Sequence, residues 1–108
     1  MYAIVRHYAA SSGSIEKMVE QVDREFADRI PEQVGSILYT AVHTGPETVM
    51  TITMFADEEA AAGSERTVAQ VQGALGARFG VTETAVQRGE VMVNRASRAV
   101  AETVRFAR

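Results

Sequence analysis

The sequence predicts an α+β domain of ferredoxin-like topology, with elements in the order βαββαβ around a four-stranded antiparallel sheet. Two observations predict it: β-rich and helix-periodic segments follow one another in this order, and the length of 108 residues, without cysteine, fits a single domain. A chain of this length forms one domain whose core needs no disulfides. We assign residues 1–95 to this domain and expect residues 96–108, the C-terminal tail, to form a short helix.

The first half of the domain contains a strand, a helix and a hairpin. Residues 2–8 are rich in β-branched and aromatic side chains, which predicts a strand. Apolar residues then recur at steps of three and four over residues 15–30, which predicts a helix that ends at Pro31. Two further β-rich runs, residues 35–43 and 48–55, are separated by a turn-forming Gly-Pro pair, which predicts a hairpin.

The second half adds another helix and a last strand. Acidic residues 57–59 favour a helix N-terminus, and the helical stripe that follows continues to Gly80, the residue type that commonly follows a helix end. The last strand pattern extends over about residues 84–94. Gly89 within this pattern predicts a β-bulge or a close backbone approach.

The strand patterns carry apolar side chains on both faces of the predicted sheet, as in residues 37–39 and 54–55. Right-handed crossovers place both helices on the same face, so the other face is left uncovered. Exposure of about six large apolar side chains would forgo on the order of 10 kcal/mol. We therefore expect a homodimer in which two sheets pack face to face. The alternative is that residues 96–108 fold back over this face.

Three segments give the chain a family resemblance: MYAIVRHY at residues 1–8, MFADEEAA at residues 54–61 and GEVMV at residues 89–93. On these segments the chain resembles the antibiotic biosynthesis monooxygenase-like proteins, which are small dimeric α/β-barrel domains of ferredoxin-like topology. The resemblance covers about residues 1–95. It implies a pocket in each subunit, between the sheet and the helices.

The resemblance also implies a function. Quinone-forming members oxidise a phenolic ring with O₂, without metal or flavin, because the deprotonated substrate supplies the electrons. We therefore expect a cofactor-independent monooxygenase-like protein that acts on a small aromatic or polycyclic phenol. The alternative is a non-catalytic ligand-binding or stress-response protein. Haem-degrading members use an asparagine, a tryptophan and a histidine, and this set does not transfer, because the chain lacks tryptophan and residues 58–79 lack histidine.

Four side chains are the catalytic candidates. His7 and His43 are candidate bases, because histidine is the residue type that exchanges a proton near neutral pH. Arg6 and Tyr39 are candidate stabilisers of the phenolate that would result. Tyr39 and His43 share one face of their predicted strand. The alternative is that both histidines are hydrogen-bonded, inert residues at strand ends or in the dimer interface.

Methionines are the candidate substrate-binding residues. Met50, Met54 and Met92 could line an adaptable aromatic cavity, although methionines in such positions are more often core filler. The sequence predicts no metal site, because the two histidines lie on different strands without a carboxylate at metal-ligand spacing.

Charge and hydropathy exclude two classes of partner. The formal net charge of −3 gives no overall attraction to nucleic acid. The arginine-rich tail has only a thin apolar face, so we expect it to pack on a partner subunit or lie in solvent. No stretch approaches the roughly 20 apolar residues that span a bilayer. We therefore expect a cytoplasmic protein that binds no membrane.

Overall fold

The computed structural model describes residues 1–10, 14–21 and 35–101. Within these ranges the chain forms four strands, three α-helices and a short 3-10 helix. In chain order they are β1 (Tyr2–Ala9), α1 (Ser14–Gln21), β2 (Leu38–Gly45), β3 (Thr48–Phe55), α2 (Glu58–Gly63), α3 (Glu65–Phe79), β4 (Thr82–Glu90) and the 3-10 helix Arg98–Ala101. This order confirms the predicted βαββαβ arrangement, with the second helical segment divided into α2 and α3.

The strands form one sheet in the order β2-β3-β1-β4, and every neighbouring pair is antiparallel. The predicted four-stranded antiparallel sheet is therefore confirmed. β1 lies at the centre, where Ile4 pairs with Thr53 on one side and with Arg88 on the other. The predicted hairpin joins β2 to β3.

The helices cover one face of this sheet. Ile4 and Phe55 are buried and pack with Ala61 of α2, and Val49 packs with Met18 of α1. Because successive side chains of a strand alternate between faces, these strand residues define one surface, the helix-facing face. The other surface is called the open face. It carries Ala3, Val5, His7, Leu38, Thr40, Val42, Met50, Ile52 and Met54.

The last strand ends earlier than its sequence pattern predicts. β4 spans Thr82–Glu90 rather than residues 84–94. The reason is its partner strand: Glu90 pairs with Tyr2, and the Val91 N–H donates to the Met1 carbonyl at 2.9 Å. β1 begins at Tyr2, and the described residues after Val91 form no strand.

A break at Ser64 divides the second helix, which the sequence pattern predicts as one. Asp57 caps the start of α2 by accepting the Ala60 N–H at 2.8 Å. Ser64 is buried, and its N–H and its hydroxyl both donate to the Ala61 carbonyl. This local bonding tightens the last turn of α2 before α3 begins at Glu65.

Two glycine predictions have different outcomes. Gly80 follows α3 in the left-handed conformation, with φ of 65°, as expected of a residue after a helix end. The bulge or close backbone approach predicted at Gly89 is wrong, because a side chain built there would meet open space. The irregularity between β1 and β4 lies instead at Thr84.

Some predictions fall on residues that the structure does not describe. The continuation of the first helix past Gln21, its end at Pro31 and the tail beyond Ala101 all lie outside the described residues. None of the helices within the described ranges is long and apolar enough to cross a membrane.

Candidate functional site

A cavity lies between the helix-facing face of the sheet and helices α1 and α3. Its space, including the solvent at its mouth, amounts to about 830 Å³. Most of its wall is apolar, and these residues are Met18, Ala41, Val49, Val68, Val71, Leu75 and Val81. The polar side chains of the lining are Arg6, Tyr8, Tyr39, Thr51, Thr53 and Gln72. The cavity is therefore suited to an apolar ligand that carries few polar groups.

The alternation of the strands selects these residues. Arg6 and Tyr8 follow Ile4 at steps of two along β1, so they share its helix-facing side. Tyr39 takes the same side of β2 and pairs with Thr53 of β3. Arg6 itself pairs with Thr51, so charged and hydroxyl side chains meet beneath the helices.

Arg6 is the one charged side chain in the described lining, and it is only 9 % exposed. Its Nε lies 3.6 Å from Oε2 of Glu83, which is too long for a hydrogen bond. Arg6 Nε is buried and donates to no described residue. A buried donor without an acceptor is costly, so this position favours a ligand oxygen that could accept from it.

A second polar group surrounds the Tyr8 hydroxyl. The Gln72 amide nitrogen donates to the Tyr8 oxygen at 2.9 Å and to Glu83 Oε2 at 2.6 Å. Burial raises the pKa of Tyr8, and the Gln72 hydrogen bond and the Arg6 charge oppose that rise only in part. Tyr8 therefore stays neutral at physiological pH and keeps its own proton.

Tyr39 is held neutral more strongly. Burial raises its pKa far above the ordinary tyrosine value, and the nearby Tyr8 adds to the rise. Because both phenols remain protonated at neutral pH, they serve as hydrogen-bond donors and not as bases.

A β-bulge brings Glu83 into this group. His7 pairs with Ala85 but Tyr8 pairs with Glu83, so Thr84 is the extra residue on β4. In an unbroken ladder Thr84 would lie opposite Tyr8, and Glu83 would point to the open face. The Thr84 hydroxyl donates to the His7 carbonyl at 3.2 Å at this point. Bulges next to functional sites commonly redirect a side chain in this way.

Of the four catalytic candidates, the structure brings Arg6 and Tyr39 to the cavity and leaves both histidines outside its lining. His7 lies on the open face, opposite Met50, because it is one residue out of phase with Arg6. His43 is on the helix-facing side of β2, but it is exposed near the end of that strand.

The methionines predicted to bind substrate also lie away from the cavity. Met50 and Met54 belong to the open face, because they pair with His7 and Ala3. Met92 follows the end of β4 and is 86 % exposed. The methionine in the lining is Met18 of α1.

Three polar residues near the cavity were missed from the sequence: Tyr8, Gln72 and Glu83. Gln72 could have been found, because it lies four residues after Val68 on the apolar stripe of α3, where a polar side chain is unexpected. Tyr8 shares its face with Arg6. Glu83 gave no signal, because its direction depends on the bulge. Within the described ranges, no group of three or more His, Asp or Glu side chains could hold a metal ion.

Comparison with known proteins identifies the fold. No protein-family model and no curated protein matches the chain. A proposed antibiotic biosynthesis monooxygenase from Deinococcus radiodurans is similar in structure, with a TM-score of 0.69 and 17% identity over 90% of this chain and 100% of that one. HapK from Hahella chejuensis gives a TM-score of 0.66 and 15% identity over 90% of this chain and 99% of its own.

A third similar structure is NE2512, a protein of unknown function from Nitrosomonas europaea. Its TM-score is 0.66 and its identity is 16%, over 89% of this chain and 93% of that one. At these identities the likeness establishes the fold and nothing finer. The chain has the ferredoxin-like α+β fold of the antibiotic biosynthesis monooxygenase-like proteins, which confirms the resemblance seen in the sequence at the level of the fold.

Proposed function

We propose that the chain binds a small aromatic or polycyclic phenol in the cavity and acts on it as a cofactor-independent monooxygenase-like protein. The observation that carries this proposal is Arg6, a buried cation with an unused donor in an otherwise apolar cavity. The apolar wall would contact the aromatic rings of the ligand. Arg6 would bind a ligand oxygen that becomes negatively charged when the phenol loses its proton.

The composition of the cavity supports an aromatic ligand. Ligand sites commonly have mostly apolar walls with a few polar groups, as this one does. The valine and leucine side chains of α3 line the cavity opposite the strands, so a flat ring would lie between α3 and the sheet.

Arg6 would favour the anion of the ligand over its neutral form. A guanidinium in a site of low dielectric constant interacts with a phenolate more strongly than it would in water. Tyr39 and Tyr8 are neutral donors in the same lining and would add hydrogen bonds to the same oxygen.

The reaction would use the reducing power of the ligand anion. For an anthrone, loss of one proton gives an electron-rich anion that reacts with O₂ at the ring methylene carbon. That carbon becomes a carbonyl with one oxygen atom of O₂, and the other oxygen leaves as water with the two methylene hydrogens. The protein would bind the ligand, exclude water and assist removal of the proton. The fold that the chain shares with the proposed monooxygenase of Deinococcus radiodurans supports this choice.

The test measures O₂ uptake and quinone absorbance when the protein is mixed with anthrone in air. We expect one O₂ consumed per quinone formed, at a rate that falls roughly a hundredfold or more in the Arg6→Met variant. Heat-denatured protein corrects for spontaneous oxidation. Wild-type protein that binds anthrone but oxidises it no faster than this control would exclude the monooxygenase function.

That result would favour the second candidate, a ligand-binding protein without chemistry. The placement of the histidines favours this alternative, because neither His7 nor His43 reaches the cavity. Binding would then depend on Arg6 in the same way, and no O₂ would be consumed.

We also propose that the open face packs against a second copy of the chain. Val5, Met50 and Ile52 lie close together on this face and remain partly exposed, whereas α1, α2 and α3 pack on the other side. A two-fold axis would pair such a patch with itself. We expect sedimentation to give twice the mass of one chain, and Ile52→Lys to give a single chain. The control is Val86→Lys, which alters an exposed valine of the helix-facing side. A wild-type monomer would contradict the proposal.

A further inference from the structure

We propose that Glu83 accepts the acidic proton of the ligand in the cavity. This inference rests on the proposed function and deepens it, since that function requires a base and neither histidine occupies the cavity. The carboxylate of Glu83 contacts two lining residues, Arg6 and Gln72, and its side chain is 33 % exposed.

Glu83 lies beside Arg6 in a position where one ligand hydroxyl could contact both residues. Oε2 accepts from the Gln72 amide at 2.6 Å, which fixes the direction of the carboxylate. The same Oε2 is 3.6 Å from Arg6 Nε, so the carboxylate and the guanidinium are neighbours without a hydrogen bond between these atoms. A ligand hydroxyl that donates to Glu83 and accepts from Arg6 would satisfy the buried Nε.

The bulge at Thr84 is the second observation. It places Glu83, rather than Thr84, opposite Tyr8 and on the helix-facing side of β4. The bulge interrupts the regular hydrogen bonding between β1 and β4. Its local effect is to direct the Glu83 carboxylate towards Arg6 and Gln72.

Other groups near this point do not accept a proton at neutral pH. Tyr8 and Tyr39 are held in their neutral forms by burial, and Arg6 is a cation. Thr51, Thr53 and Gln72 are not bases. Among the described residues of the lining and those hydrogen-bonded to it, Glu83 is therefore the group whose chemistry suits proton acceptance.

The proton transfer is simple to write. The O–H bond of the phenol breaks, or the methylene C–H bond of its keto tautomer, and the proton passes to an oxygen of the Glu83 carboxylate. The electron pair stays on the ligand, whose oxygen faces the Arg6 guanidinium. The carboxylate becomes neutral and the ligand becomes an anion, so total charge is unchanged.

The test uses 2-naphthol, a phenol that becomes a strong acid when excited by light and then emits at longer wavelength as naphtholate. A proton acceptor beside the bound molecule is thus seen directly in its emission, and the absence of tryptophan keeps the background low. 2-Methoxynaphthalene has no acidic proton and reports occupancy of the cavity alone. The variants are Glu83→Gln and the control Glu65→Gln, which breaks the exposed ion pair with Arg88 between α3 and β4.

We expect bound naphthol to emit as naphtholate in the wild type and in Glu65→Gln, and as the neutral molecule in Glu83→Gln. Its affinity relative to the methyl ether should fall about tenfold in Glu83→Gln, as for loss of a hydrogen bond to a charged group. Unchanged affinity for the methyl ether would show that this variant is folded with its cavity intact.

Three results would overturn the assignment. If Glu83→Gln binds naphthol with the same preference and the same naphtholate emission as the wild type, another group accepts the proton and the proposed function survives. If the wild type binds neither naphthol nor its methyl ether, the proposed function fails and the role of Glu83 fails with it. Loss of methyl ether binding in Glu83→Gln alone would show that Glu83 supports the cavity wall and is not the proton acceptor.

Discussion

Replacement of Arg6 by methionine separates its contribution to binding from its contribution to stability. Methionine has a similar length and no charge, so Arg6→Met keeps most of the packing. At 3.6 Å from Glu83, the attraction between the two charges is about 4–5 kcal/mol for an effective dielectric constant near 20. Burial of the guanidinium costs several kcal/mol, and its unpaired Nε costs about 1–3 kcal/mol more.

Because these contributions oppose each other, we expect Arg6→Met to change the free energy of unfolding by less than about 1 kcal/mol. The remaining Glu83 is not stranded, since it is one-third exposed and keeps its hydrogen bond from Gln72. Binding of 2-naphthol should nevertheless weaken roughly tenfold to a hundredfold, as for loss of a charge-assisted hydrogen bond.

The assays are urea unfolding followed by circular dichroism and a fluorescence titration with 2-naphthol. Protein concentrations must be equal in the unfolding experiments, because association of two copies would raise the apparent stability. A loss of more than about 3 kcal/mol in stability would show that Arg6 belongs to a well-compensated buried ion pair. Unchanged naphthol affinity would show that the guanidinium does not contact the ligand. Either result refutes the reasoning.

Three further predictions follow from particular side chains. The raised pKa of Tyr39 stabilises the native state fully below about pH 10, and this contribution is lost as the pH rises towards the folded-state pKa. Urea unfolding should therefore show that Tyr39→Phe loses less stability between pH 8 and pH 11 than the wild type, and parallel losses would contradict this. Asp57→Ala should lower the free energy of unfolding by about 1 kcal/mol, with Asp57→Asn as the matched control, since Asp57 caps α2. Deletion of Thr84 should leave Glu83 opposite Tyr8 in an unbroken ladder, so bound naphthol should still emit as naphtholate. Loss of the naphtholate emission in this variant would show that the bulge does more than place Glu83 on the helix-facing side.

The parts of the fold that depend on local pattern were predictable from the sequence. The order of elements, the hairpin and the residue after α3 follow from periodicity and turn chemistry, and the structure confirms them. The end of β4 was not predictable in the same way. Residues 91–93 have strong β propensity, but a strand needs a neighbour, and β1 stops pairing at Tyr2.

The cavity was partly predictable for a similar reason. Strand alternation puts Tyr39 and Arg6 each on a definite face, but it does not say which face the helices cover. Once packing selects the face that carries Ile4, Arg6 follows into the cavity and His7 is excluded from it. Arg6 and His7 are adjacent, and both have side chains suited to acid–base or anion chemistry. Tertiary packing decides which of the two faces the cavity.

Glu83 shows where alternation fails as a guide to function. Ala85 lies opposite His7 on the open face. Strict alternation from Ala85 would place Glu83 on the open face too, and Glu83 would then not be a candidate base for the cavity. One extra residue at Thr84 reverses that assignment and brings the carboxylate to Arg6 and Gln72. A bulge changes the face of every residue beyond it while leaving the hydrophobic pattern of the strand almost unaltered, so no propensity argument detects it. A bulge of a single residue can therefore place a candidate base in a cavity where the sequence pattern alone would not predict it.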